Sequence, residues 1–290
     1  MYTRRNQQTL ARSAAVEGVG YWSGREIRLE FRAAKADTGI IFVRSDLPGC
    51  PRIPASVAHR TDMPRRTNLC HGHAAVEMVE HVMAALAGLQ IDNCEVWANA
   101  AEMPGCDGSS RAFVEALDAA GAAVQDRPRA QCVVRQVIRV GNAESWIEAR
   151  PCCSGKTVLQ YELDYGAQSV IGRQVLELVL TPDVFRRELA GCRTFTLKAE
   201  AEAMQRQGLG RHVAFRDLLV FDERGPIDNE LRFPDECVRH KMLDMAGDLA
   251  LAGCELIGRF SAFRSGHHLN AELVRAVLEE KATQSLKRCA

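Results

Sequence analysis

The chain has 290 residues and balances 37 Lys plus Arg against 37 Asp plus Glu, so its formal net charge is zero. That argues against nucleic acid as a partner, because no strong basic footprint is available. Hydrophobic residues make up 47% and charged residues 26%, the composition of a globular protein of one or two domains rather than a disordered or fibrous one. No apolar run approaches the roughly 18 to 20 residues that span a bilayer. The opening MYTRRNQQTLARSAAVEGVG has no continuous apolar stretch, so neither an integral membrane segment nor a signal peptide is expected. Eleven cysteines occur singly or as the Cys152-Cys153 pair, with no CxxC spacing. They read as small buried hydrophobes and reduced thiols, which makes the cytoplasm the expected compartment.

In chain order, residues 24–34 alternate through Ile27, Leu29 and Phe31 and predict a strand, followed by another at 39–44. A helix is expected over 74–89, where Val79, Val82, Met83 and Leu86 recur at helical spacing. Residues 94–98 read as a short strand, and Ser109 or Ser110, after the MPGCDGSS turn, is placed to cap a helix running to Ala119. The pattern dissolves over 120–130, the expected junction between domains at 1–127 and 128–290. Strands follow at 132–140, 145–150, 157–163 and 174–180, then helices at 182–190 and 198–207. A strand at 218–222, a helix at 235–251, a strand at 256–264 and a last helix capped by Asn270 complete the order. The expected fold is α+β, as two domains of similar topology.

Three segments carry residues suited to chemistry. His240 and Asp244 stand at i and i+4 of a predicted helix, with Asp248 one turn further and Lys241 beside them. A His and a carboxylate one turn apart suit a single metal ion, but the same stripe suits a solvated helix face, and spacing leaves both open. Glu80-His81 joins a proton acceptor to a metal-ligand type, as metal-assisted hydrolysis requires, yet lacks the second His of an HExxH signature. SGHHLN (265–270) puts two histidines in a glycine-containing loop, one of them placed to act as a general acid, with His268 read as a bystander. His71-Gly72-His73 reads as plain surface, and His59 and His212 have no supporting context.

Six motifs nevertheless occur in order: EGVGYWSG (17–24), VEHVMAALAGLQIDN (79–93), EMPGCDGSSRAFV (102–114), RTF (193–195), LRFPDECVRHKMLDMAGDL (231–249) and SGHHLN. Together they resemble the UDP-3-O-acyl-N-acetylglucosamine deacetylases of lipid A biosynthesis, over nearly the whole chain. The resemblance implies two domains, each a helix layer on a sheet layer, with the active site between the helix layers. It implies one Zn2+ per chain, with Fe2+ as the other candidate, held by His81, His240 and Asp244. Glu80 would be the general base, Thr194 an oxyanion donor, and His267, oriented by Asp248, the acid that protonates the leaving amine. Lys241 would bind substrate, Phe195 would border the acyl chain, and Asp164 and Tyr165 would hold the uracil. Residues 196–213 match the family's acyl passage. Departures stand at Trp22 (usually His), Gly166-Ala167 (His-Pro), Thr196 (Gly) and His212-Val213 (Gly-Gly). A monomer acting on an acylated UDP-amino sugar is expected; the alternatives are a paralogue using another N-acyl sugar and a non-catalytic zinc-binding protein.

Overall fold

The computed structural model describes residues 4–210, 213 and 217–289. The chain begins with β1 (Asn6–Leu10), β2 (Ala14–Val19), β3 (Glu26–Ala33), β4 (Ile40–Arg44) and β5 (Arg52–Pro54). Next come β6 (Arg60–Thr61), β7 (Asn68–His71), β8 (Ala74–Glu77), helix α1 (Glu80–Gly88), β9 (Cys94–Ala98) and helix α2 (Arg111–Ala120). Then follow β10 (Ala122–Pro128), β11 (Gln131–Val133), β12 (Ile138–Gly141), β13 (Trp146–Arg150), β14 (Thr157–Asp164) and β15 (Arg173–Val179). The rest comprises α3 (Pro182–Val184), a π-helical turn (Phe185–Leu189), β16 (Phe195–Leu197), α4 (Lys198–Arg206) and β17 (Leu219–Phe221). It ends in α5 (Glu236–Leu249), β18 (Glu255–Phe263) and α6 (His267–Cys289). The fold is α+β, and no helix among the described residues is long and apolar enough to cross a membrane.

Two sheets carry the structure. The first runs β2-β3-β9-β4-β5, and the second β12-β13-β18-β14-β15, with β11 added to β18. Alternation in β3 buries Ile27, Leu29 and Phe31, and Phe31 packs edge-on against Phe113 of α2. The second sheet buries Leu159 and Tyr161 of β14 and Phe260 of β18, with α5 against β14 and α6 against β12 and β13. α1 packs on α5, so the helix carrying Glu80-His81 meets the helix carrying His240 and Asp244.

That contact depends on Gly247. A Cβ there would sit well inside van der Waals contact of the Glu80 carbonyl oxygen, a backbone atom that cannot swing aside. Gly247→Ala is therefore expected to cost at least the roughly 1–3 kcal/mol of a typical overpacked core. Displacement of α1 should also lower activity; a denaturation midpoint equal to wild type would show that the helices can part at no cost.

Four expectations are corrected. Residues 74–77 are strand, not helix: Gly72 (φ 61°) closes a β7–β8 hairpin, and Met78 (φ 60°) breaks the backbone before α1 starts. Residues 120–130 are not irregular but contain β10, paired antiparallel with β1. This strand is mostly exposed, which is why its sequence shows no apolar alternation. The segment 182–190 is a single α-turn capped by Thr181 Oγ1, followed by a π-turn. Asn270 does not cap α6, which starts three residues earlier; its side chain turns to Ser265 and Asp248 instead.

Candidate active site

The α1–α5 contact places His81, His240 and Asp244 in one cluster. One ligand atom from each lies within 4.8 Å of the others, and all three residues are buried. Asp244 Oδ1 is 3.5 Å from His81 Nε2 and 3.4 Å from His240 Nε2, too far for good hydrogen bonds. It is buried with no hydrogen-bond partner. A native interior rarely leaves a carboxylate oxygen orphaned, whereas two imidazole nitrogens and a carboxylate oxygen turned toward one point fit a divalent ion.

The electrostatics agree with that fit. His240 Nδ1 lies 3.0 Å from the Cys192 carbonyl, which only accepts, so Nδ1 carries the proton and Nε2 keeps its lone pair. Burial pushes His240 down to about 4, fixing the neutral, ligating form. Burial penalises the Asp244 carboxylate, yet His240 and the Lys241 ammonium, 2.7 Å from Oδ2, hold it well below the usual range. Burial would discharge Lys241, but Asp244 raises its pKa instead.

Two further titratable groups stand beside the cluster. Glu80, buried at the start of α1, has its carboxyl raised by desolvation against the opposing pull of His267 and His81. His267 Nδ1 is 2.8 Å from Asp248 Oδ2. Burial opposes its charge, but Asp248 outweighs burial and carries the imidazolium up to about 9. One residue that sequence reasoning missed ties these groups together. Thr67 donates its backbone N–H to Glu80 Oε2 (2.9 Å) and its hydroxyl to Asp248 Oδ1 (2.6 Å).

A cavity of about 540 Å³ opens over this cluster, within the usual range for a small-molecule site. Glu80, His81, Thr194, His240, Lys241, Asp244 and His267 line it. Thr196, Ala201, Met204, Leu209 and Val213 form an apolar wall that faces Met63 and Pro64 of the β6–β7 loop. Arg65 of that loop reaches Glu200 of α4 at 3.2 Å, and Asp62 pairs with the exposed His268 at 3.0 Å. The Trp22 side chain also lines the cavity, while His212 lies outside the described residues. Asp164, Tyr165 and Phe195 are not among the described lining residues. Phe195 sits behind, its ring 6.2 Å from that of His240 and 5.9 Å from that of Tyr165.

The Arg of the RTF motif is structural. The Arg193 side chain donates two hydrogen bonds to Glu236 (2.9 and 3.0 Å) and one to Asn229 Oδ1 (2.7 Å). Both members of the ion pair are almost fully buried. Arg193→Ala would leave the buried Glu236 carboxylate without its counter-charge, held only by the backbone N–H groups of residues 193 and 232, and is expected to cost about 3 kcal/mol. Urea unfolding checks this, and a loss below about 1 kcal/mol would mean Glu236 finds another partner or water.

Comparison with known proteins agrees with this arrangement. The family model described as UDP-3-O-acyl N-acetylglycosamine deacetylase (LpxC) matches residues 7–279. The UDP-3-O-acyl-N-acetylglucosamine deacetylase of Chlamydia felis is 39% identical over 277 residues, covering 95% of this chain and 98% of its own. Those of Brucella ovis and Psychrobacter arcticus are each 38% identical, again over 95% of this chain, and 96% and 86% of their own lengths. With both the whole-chain match and a buried two-histidine, one-aspartate cluster in place, this chain belongs to the UDP-3-O-acyl N-acetylglycosamine deacetylase family.

Proposed function

We propose that this protein removes the N-acetyl group from UDP-3-O-acyl-N-acetylglucosamine, releasing acetate and the free 2-amino sugar nucleotide, a step of lipid A biosynthesis. The observation that carries the reading is the orphaned Asp244 Oδ1 between two imidazole nitrogens, beneath a cavity with one apolar wall. His81, His240 and Asp244 would hold one Zn2+, although two histidines and an aspartate also suit Fe2+. When bound, such an ion supplies Lewis acidity, making water more acidic and polarising the amide carbonyl.

The chain's own residues do the rest. Glu80, kept basic enough by desolvation, takes the proton from the attacking water as its oxygen bonds to the acetyl carbon. Thr194, which lines the cavity, would donate its hydroxyl to the carbonyl oxygen as that oxygen gains charge. His267, charged through Asp248, gives a proton to the sugar nitrogen as the C–N bond breaks. Thr67 fixes both carboxylates so that acceptor and donor keep their orientations. Lys241 faces the same cavity, its ammonium anchored on Asp244, and offers its remaining N–H donors to substrate oxygens. The apolar wall contributed by Ala201, Met204, Leu209 and Val213 suits the 3-O-acyl chain. Asp164 and Tyr165 at the end of β14 are proposed for the uracil, and Phe195 backs the metal-facing His240 next to the acyl chain.

Incubating zinc-replete protein with UDP-3-O-acyl-N-acetylglucosamine should release acetate. Glu80→Gln should keep the metal and lower turnover by about 10²–10⁴, the usual scale for a positioned base. Stoichiometric zinc without acetate release would assign the fold to another N-acyl sugar or to a non-catalytic role.

A further inference from the structure

Outside the active site, a second pair of histidines repeats the geometry of the first. His59 ends the short helical turn Val57–His59, and His71 ends β7. Their ring centroids are 5.0 Å apart with planes at 83°, while His81 and His240 are 5.0 Å apart at 87°. That spacing suits two imidazoles on one ion. Metal–nitrogen bonds of about 2.0–2.1 Å put each ring centre roughly 3 Å from the ion, and a tetrahedral angle then separates the centres by about 5 Å.

Hydrogen bonding leaves the right nitrogen available. His71 Nδ1 lies 3.0 Å from the Arg52 carbonyl, so it must donate and Nε2 keeps its lone pair, as His240 does against Cys192. His59 Nδ1 lies 2.9 Å from Ser56 Oγ, a hydroxyl able to accept from it and so leave the His59 Nε2 lone pair available. This is the orienting contact that metal-ligating histidines usually make. Burial and the facing His71 both lower the His59 pKa, favouring the neutral ligand. Cys70 turns its thiol to the Gly72 carbonyl. Among the described residues, no three-residue group of ligand types includes this pair.

We infer that His59 and His71 form a second, peripheral transition-metal site, which takes a divalent ion of the zinc, nickel or copper class through two imidazole nitrogens and water. With two protein ligands in place of three, it binds more weakly than the active site. Its position gives it a consequence. The β6–β7 hairpin, paired at Arg60–Leu69 and Thr61–Asn68, opens toward this pair and carries Met63, Pro64 and Arg65 at its tip into the cavity wall. An ion joining His59 to His71 would fasten the base of that hairpin.

The test is Ni2+ titration by calorimetry on enzyme that already carries its active-site metal. Wild type should take one further Ni2+ per chain. Loss of an orienting partner alone costs metal sites about 10–100-fold, so His59→Ala and His71→Ala should each bind at least tenfold more weakly. His71→Gln keeps a donor for the Arg52 carbonyl but not the ligand nitrogen, and should lose binding to the same extent. His73→Ala, two residues along, should bind like wild type. Equal Ni2+ affinity in the His59→Ala/His71→Ala double variant, no extra Ni2+ in wild type, or loss in His73→Ala would each overturn the site. Acetate release by every variant shows that the fold and the active site are intact.

Discussion

His81→Ala is expected to strip the active-site metal and abolish acetate release. Among the described residues three protein ligands are available, so losing one leaves His240 and Asp244 in a buried site, where desolvated charge is poorly tolerated. Loss of an orienting contact around a metal already costs about 10–100-fold in affinity, so losing a ligand should cost more than the upper end of that range. The fold itself should survive. His81 is held in α1 by backbone bonds, and its carbonyl still accepts from Ser110 Oγ at 2.8 Å whatever the side chain. The measurement is zinc per chain after gel filtration, with acetate release on the same sample. Wild-type zinc content in His81→Ala would remove it from the ligand set, whatever happened to turnover. Glu80→Gln provides the contrast, because it should lose turnover while keeping the metal.

Much of the framework was legible in the sequence because the physics that builds it is local. Alternation marks β3 and β9, and a β-branched run marks β4. Where partners distant in the chain decide, local reading fails. Ala74 to Glu77 is compatible with helix by composition and becomes strand only because β7 lies beside it. β10 has no buried face to advertise it, since it pairs with β1 on an exposed ribbon.

The site shows the same division. His240, Asp244 and Asp248 form a stripe that spacing cannot tell from a solvated face. In the fold nearly every residue of α5 is buried, because α1 covers one side and β14 another, so a charged stripe there needs compensation rather than water. Thr67 was invisible for a related reason. It meets Glu80 across 13 residues and Asp248 across 181, and no periodicity links such positions. The ordered motifs pointed to the cluster, but only packing shows why its charges are stable together.

His267→Ala should leave the metal in place and lower turnover by roughly 100-fold or more, the scale of a positioned general acid. The pH profile separates this role from a structural one. Burial disfavours the imidazolium, but Asp248, 2.8 Å away, outweighs it with help from Glu80 and Asp244 and raises the pKa to about 9. A group with a raised pKa is charged below it, so activity that needs the proton holds at neutral pH and falls as pH rises through the alkaline limb. Asp248→Asn removes the charge that sustains the imidazolium, so the limb should move toward the ordinary histidine value of about 6.5. Neutral-pH activity then drops although His267 is still present. His267→Ala should abolish that limb altogether. A bound cation would pull the limb below 9 in the metal-loaded enzyme, so the decisive quantity is the displacement between wild type and Asp248→Asn. An alkaline limb in the same place in both proteins would mean that Asp248 only shapes the pocket and that the amine takes its proton from another donor.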